Sequence, residues 1–296
     1  MRAQRELGNG EENPVRILTL DEIKARIDDD LAIERMREAL RAQARGECQT
    51  PMPMHLDTAN GGEVHMKASY RRGGKYFVLK MAAHASGMML LCSAESGEPV
   101  AYLADEGHLT DVRTAAVSAM VARALGRTDA SIGILGTGVQ ARLTARFHRR
   151  VLPLERIFLW GRDRARAERC AKQIGAVVVS TPAELAASTR LIIACTASRA
   201  PLLFAQDIQP GTHISAVGAD SPGKHELDPE ILRRADLLLV DSLAQCQKLG
   251  ELQHAPDQRR RAVEIGAFSR RAHTTVADMT GLGVEDLFIA EAIYET

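Results

Sequence analysis

The chain has 296 residues, which at roughly 100–200 residues per domain suggests two domains and a sizeable core. Apolar residues make up 45% and charged residues 26%, which excludes a disordered or collagen-like chain. Lys+Arg and Asp+Glu are 38 each, so there is no basic excess of the kind that holds nucleic acid or an anionic membrane. No apolar run approaches a membrane-spanning length, and the polar start MRAQRELGNGEENP has no apolar h-region. The five cysteines (Cys48, Cys92, Cys170, Cys195, Cys246) are widely spaced with no CxxC pair. A reducing, cytoplasmic protein with free thiols and no metal centre is expected.

In chain order, residues 1–14 read as a flexible leader and 15–19 as a short strand. Thr19 and Glu22 fit a capping box. A helix is expected over Leu31–Arg45, stopping at Gly46. VHMKASY (64–70), YFVLKMA (76–82), MMLLCS (88–93) and VAYLA (100–104) read as strands of an antiparallel sheet. A long helix follows over 109–126, with Thr110 as N-cap and Gly126 as its stop. From 131 the pattern alternates apolar strand, turn and helix. The strands are 131–135, 156–160, 176–179, 190–196, 213–217 and 236–240, apolar throughout as strands covered on both faces should be. That alternation predicts an α/β, doubly wound parallel sheet. Residues 283–295 read as a final helix.

The first βα turn of this region is Gly136-Thr137-Gly138-Val139-Gln140-Ala141. In GxGxxA, the first glycine permits the tight turn and the second admits a pyrophosphate close to the backbone. Ala141 allows close helix–strand packing, and the helix N-terminus faces the phosphates. The second strand ends Trp160-Gly161-Arg162. NAD-binding folds usually carry an acidic residue there for the ribose 2′-hydroxyl, and here it is Gly161. Arg162 offers a charge-assisted partner to a 2′-phosphate, so NADP(H) is favoured and NAD(H) remains possible, with Asp163 able to rotate into the acidic role.

The fifth strand runs into Val217-Gly218-Ala219-Asp220, placing Asp220 at the carboxyl end of the sheet where ligands bind. A carboxylate there can move a proton to or from a substrate nitrogen; a plain turn aspartate is the alternative. Lys80 sits among apolar strand residues, and Lys67 lies in the neighbouring strand; a lysine so placed needs a charged partner or a function. Arg113 stands near the start of a helix, where the dipole disfavours a cation unless an anion lies against it.

These segments resemble the ornithine cyclodeaminase/μ-crystallin family. The likeness rests on VHMKASY…FVLKMA, GEPVAYLADEGHLTDVRTAAVSAM, IGILGTGVQAR, HISAVGADSPGKHELDPEIL and ADMTGLGVEDL, from about residue 50 almost to the C-terminus. It implies a Rossmann domain (126–274) inserted into a smaller α+β substrate and dimerisation domain (1–125 plus 275–296), a homodimer, and chemistry at a C–N bond. By the same resemblance Lys80 polarises the substrate and Asp220 is the general acid/base. Arg113, Thr196, Ser198 and Lys224 match cofactor-contacting positions, Met279 and Thr280 lie near the substrate, and Lys67 matches a carboxylate-holding position. Two departures stand out. Pro53 replaces an expected arginine, and MAAHASGMML lacks a loop that helps wall the pocket.

The expected function is an NADP(H)-dependent reductase of a small α-imino acid such as Δ1-pyrroline-2-carboxylate. The alternatives are an ornithine or lysine cyclodeaminase with bound NAD, an alanine dehydrogenase-like enzyme, and a non-catalytic NADPH-binding protein. Lys67 would repel the side-chain ammonium of ornithine.

Overall fold

Thr19 opens the first helix as its sequence signature requires, its hydroxyl accepting from Glu22 N–H while the Glu22 carboxylate accepts from Thr19 N–H. The computed structural model describes residues 14–59, 62–83, 86–269 and 272–296, so most of the expected leader lies outside the described residues. Strand β1 (Arg16–Leu18) is followed by α1 (Leu20–Arg26) and α2 (Asp29–Ala44), then β2 (Cys48–Gln49), β3 (Met54–Thr58), β4 (Gly62–Arg71), β5 (Tyr76–Ala83), β6 (Ser86–Ser93) and β7 (Pro99–Leu103). They form a sheet in the order β1-β7-β6-β5-β4-β2, with β3 also on β4. All pairs are antiparallel except β1 on β7. In the shortened segment after Lys80, β5 and β6 stay paired out to Ala83 and Ser86.

Helix α3 (His108–Ala124) leads out of this sheet. Its start is capped by Asp105, whose carboxylate accepts from Leu109 N–H at 2.9 Å, and not by the expected Thr110. Gly107, at φ +86, makes the turn into the helix, which a residue with a side chain rarely would. Next come β8 (Ser131–Leu135), α4 (Val139–Val151), β9 (Arg156–Trp160), α5 (Arg164–Ile174), β10 (Val177–Val178), α6 (Pro182–Ser188), β11 (Leu191–Ala194), β12 (Arg199–Leu203), β13 (His213–Ala216), β14 (His225–Leu227), α7 (Pro229–Arg234), β15 (Leu237–Val240), α8 (Leu243–Leu249), β16 (Ala262–Glu264), β17 (Thr275–Asp278) and α9 (Gly283–Glu295). The second sheet is wholly parallel, in the order β10-β9-β8-β11-β13-β17-β15-β16. A sheet reversing direction on either side of β8 is the doubly wound arrangement expected.

One expectation is corrected. Residues 275–278 were assigned to the outer domain, yet β17 lies between β13 and β15 in the middle of the parallel sheet. Its four residues are fully buried there, and the chain returns to the outer sheet only afterwards, through α9, which packs on α2, α3, β4, β5 and β6. The carboxyl ends of the parallel strands thus face the side of β4 and β5 that α9 covers.

His148 of α4 is fully buried, with Nδ1 against Thr144 O at 2.9 Å and Nε2 unpartnered among the described residues. Burial lowers its pKa from 6.5 to about 4. A group whose folded pKa is depressed in this way costs stability as pH falls through that window, because only the unfolded chain takes up the proton. The stability difference between His148→Leu and the wild type should therefore move in the variant's favour by up to about 1.4 kcal/mol per pH unit below pH 6.5. Urea unfolding at neutral and mildly acidic pH measures it. A pH-independent difference would show that His148 titrates normally in the fold.

Candidate functional site

At the end of β8, Gly136 takes φ +128, and a Cβ there would lie 2.8 Å from Cys195 O, so only glycine fits the turn. Gly138 is the opposite case. Its φ of −84 suits any residue, and a Cβ there would meet nothing within 4 Å. It is the N-cap of α4 but has no side chain to cap it, so the first N–H groups of the helix are left for a ligand. Gly136, Thr137 and Gly138 line a cavity of about 420 Å³ with Gly161, Arg162, Thr196 and Ser198. An open Cβ position over an uncapped helix start is what a pyrophosphate requires, and the residues present fit a dinucleotide. Ala141 is buried on the inner face of α4, Val139 is exposed on its first turn, and Gln140 lines a different cavity.

The nucleotide-specificity positions have structural reasons of their own. A Cβ on Gly161 would lie 2.4 Å from Thr137 Cγ2, so the threonine in the glycine-rich turn excludes a carboxylate there. Asp163 is engaged as the N-cap of α5, accepting from Arg166 N–H at 2.9 Å. Arg162 is exposed on the cavity rim. Thr196 donates through both N–H and Oγ1 to Glu226 Oε1 at 2.7 Å, and Gly218 N–H donates to Glu226 Oε2 at 3.1 Å. Burial pushes the Glu226 carboxyl up to about 7. Ser198 Oγ donates to Ala200 O at 2.6 Å.

A second cavity, of about 230 Å³, collects the remaining site residues: Lys67, Lys80, Arg113, Gln140, Val217, Asp220, Met279 and Thr280, together with Pro53 and His65. Lys67 and Lys80 stand directly opposite each other on β4 and β5. Like charges so placed repel, and the surroundings answer that repulsion. Lys67 Nζ donates to Gly281 O at 2.7 Å and Thr280 O at 3.3 Å. Lys80 Nζ lies 3.9 Å from Asp286 Oδ1. Burial lowers Lys80 to about 7, against the pull of Asp286 and with the push of Arg113 and Lys67. Burial and Arg113 also lower Lys67.

Arg113 was expected on the cofactor. Its counter-ions are instead two carboxylates of α9: Nη1 donates to Glu285 at 2.8 Å and Nε to Asp286 at 3.1 Å. Gln140, also expected on the cofactor, donates to Asp111 Oδ1 at 2.9 Å. Its Oε1 and the Thr110 hydroxyl are buried, line this cavity and lack a partner among the described residues. Asp220 forms the facing wall. Burial would raise its carboxyl, but the Lys224 ammonium, bonded to Oδ1, and Lys67 outweigh that and hold it below its ordinary value. Lys224, another expected cofactor contact, is thus engaged with the acid/base candidate.

Several residues of this site went unread in the sequence. Asp241 accepts from the N–H groups of Ser242, Thr280 and Gly281, fixing the loop that carries Met279 and Thr280. Asp278 accepts from Glu251 and Leu252 N–H, and Glu251 from Glu226 and Leu227 N–H. The signal was present: LLLVD puts an acid directly after a buried strand and TVAD ends one with an acid, both near the carboxyl ends of the sheet as Asp220 is. Glu285 and Asp286 were legible as acids in the first turn of an otherwise apolar helix.

The model of the ornithine cyclodeaminase/mu-crystallin family matches residues 15–296. The chain belongs to this family. An uncharacterized cyclodeaminase of Sinorhizobium fredii is 34% identical over 95% of both chains. Among solved structures, an archaeal alanine dehydrogenase dimer with bound NAD superposes with a TM-score of 0.86 at 28% identity over 95% of both chains. The iminosuccinate reductase of Paracoccus denitrificans in complex with NAD+ also gives 0.86, at 25% identity and 95% coverage of both. Among the described residues no helix is long and apolar enough to cross a membrane.

The family's nucleotide cradle can be tested apart from its stability. Gly138→Ala should unfold within about 1 kcal/mol of the wild type, since its methyl enters open space. It should nonetheless bind NADH and NADPH at least about tenfold more weakly, in a fluorescence titration. Unchanged affinity would place the dinucleotide elsewhere.

Proposed function

We propose that this chain reduces a small α-imino acid at its C=N bond, with NADP(H) preferred over NAD(H), and that it works as a homodimer. The observation carrying this reading is the charge distribution of the 230 Å³ cavity. Lys67, Lys80 and Arg113 cluster on one wall against Glu285 and Asp286, burial pushes Glu285 up to about 7, and Asp111 also lines the cavity. Asp220 stands ionised on the other side. A wall of basic side chains opposite an ionised carboxylate suits a carboxylate next to a protonated nitrogen, which is what an α-iminium acid presents. The same basic wall disfavours a second ammonium lying against it, as in ornithine.

The nicotinamide cofactor supplies the hydride when bound. Lys80 and Lys67 draw the substrate carboxylate to the β4–β5 wall. Asp220, held ionised by Lys224, accepts the nitrogen N–H and stabilises the iminium, so the C=N bond that takes the hydride already carries its proton and yields the amine directly. Met279 and Val217 supply apolar walls that keep the substrate carbon out of water. The support for NADP(H) is the glycine at position 161, enforced by Thr137, the engagement of Asp163 as a helix cap, and the free guanidinium edge of Arg162. The support for a dimer is the outer face of the first sheet, where Met54, Leu56, Leu79 and Met81 are exposed, each on a strand whose other face is turned to the cavity.

Asp220→Asn keeps the shape and removes the negative charge that stabilises the iminium. Single-turnover hydride transfer should slow by about 10²–10⁴-fold while nucleotide binding survives. An unchanged rate would leave Asp220 as a turn residue.

Lys80 carries a pH signature. Its ammonium is present below pH 7 and lost as pH rises through about 7, so KM for the imino acid should climb above that pH. In Lys80→Met, KM should be high and flat across the range. A wild-type KM that ignores pH there would remove Lys80 from the carboxylate site.

Arg162→Ala should erase most of the NADPH-over-NADH preference, worth about 1.5–3 kcal/mol for a charged hydrogen bond. Equal affinities in the unaltered chain would overturn the cofactor assignment.

A further inference from the structure

We propose that His55, Glu63 and His65 form a binding site for a divalent transition-metal ion of the zinc class, at the edge of the cavity that holds Lys67 and Lys80. The sequence pointed to no metal, because the ligands come from two strands and match no familiar spacing. The antiparallel register of β3 and β4 supplies the geometry. His55 pairs directly with His65, and Asp57 with Glu63. Alternate residues of a strand share a face, so these four side chains stand as a square on one face, the face that also carries Lys67.

The two imidazoles meet edge-to-face with centroids 4.7 Å apart. His65 Nε2 lies 3.5 Å from Glu63 Oε2, and His55 Nε2 lies 3.1 Å from Asp57 Oδ1. One ligand atom from each of His55, Glu63 and His65 falls within 4.8 Å of the others. Tetrahedral zinc at about 2.0–2.2 Å from each ligand needs those atoms roughly 3.3 Å apart. His55 is exposed, so its ring is free to rotate inward by the remainder.

Two further observations call for a cation. Asp57 and Glu63 are like charges directly opposite across a ladder, an arrangement that destabilises a sheet. Among the described residues their partners are Arg199, whose Nη2 is 4.0 Å from Glu63, and the two imidazoles themselves. The half-buried His65 aims Nε2 at Glu63 Oε2 across 3.5 Å, longer than a good hydrogen bond and open to a bridging cation. Other charges acting on His65 are Asp220, from across the cavity, and Lys67, from its own strand. Two imidazoles and a carboxylate are a borderline donor set that suits Zn²⁺ and Co²⁺ over Mg²⁺ or Ca²⁺. Three protein ligands leave a coordination position for water or for an anionic group of whatever occupies the cavity.

The test reads metal uptake and not turnover, so its failure is distinct from failure of the reductase reading. ZnCl₂ is titrated calorimetrically, and CoCl₂ spectroscopically, into the full chain, His55→Ala and Glu63→Gln. The expected result is one ion per chain near neutral pH, with visible cobalt ligand-field bands and no thiolate charge-transfer band. Both variants should bind roughly 10–100-fold more weakly, or worse, with unchanged nucleotide binding. Binding should also fall at mildly acidic pH, as the imidazoles take up protons. The proposal is overturned by the absence of saturable uptake, by affinity that both substitutions leave intact, or by thiolate bands that assign the ion to a cysteine.

Discussion

The buried Arg113 guanidinium is the point on which the two sheets and the cavity depend. It sits on α3, the helix that leaves the first sheet for the second, and it grips Glu285 and Asp286 in the first turn of α9, the helix that closes the chain. Burial works against its charge and the two carboxylates restore it, so it stays a cation. Breaking such a pair strands a buried charge, at about 3–5 kcal/mol. Its neighbours are shaped around it. A Cβ on Gly281 would lie 2.3 Å from Nη1, and Gly281 itself takes φ +74. The cluster also sets the chemistry. Lys67 and Lys80 share the carboxylates that Arg113 already holds, so this wall gathers three basic side chains, while Asp111 and Asp220 line the pocket as acids.

A second set of buried carboxylates works on the backbone instead of on cations. Glu226, Asp241, Glu251 and Asp278 receive N–H groups from loops at the carboxyl ends of the parallel strands. These loops carry Thr196, Gly218, Met279 and Thr280 to the cavities, and irregular backbone there needs acceptors that secondary structure does not provide. Burial raises Glu226 and Asp278 to about 7 and Glu251 to about 9. A Cβ on Gly218 would lie 2.3 Å from Glu226 Oε2, so the glycine admits the carboxylate that holds its own N–H.

What was legible in the sequence followed from local chemistry. The GxGxxA turn, the apolar parallel strands and the oddity of two lysines among strand residues all stand in short windows. Arg113 was legible as an ion needing an anion, but its partner Glu285 is 172 residues away and nothing local points to it. Strand β17 was misplaced for a similar reason. Four residues after an irregular stretch carry little periodicity, and its seat between β13 and β15 is set by long-range pairing. The cap of α3 went to Thr110 by residue type, whereas Asp105 reaches the helix N–H from before the glycine turn.

The absence of an arginine at Pro53 changes what the pocket can do, because the remaining donors are lysines of unequal commitment. Pro53 lines the cavity but offers no donor. Lys67 uses two of its three N–H bonds on the carbonyls of Thr280 and Gly281, leaving one for a ligand. Lys80 has an ion-pair neighbour at 3.9 Å and, among the described residues, no hydrogen bond, so its donors are available. On the proposed reading, the substrate carboxylate is therefore carried chiefly by Lys80. An arginine in that role would stay charged at every accessible pH, whereas a lysine lowered to about 7 switches within the physiological range. On the proposed reading, anion affinity is then a property of one ammonium that weakens as the pH rises through neutrality.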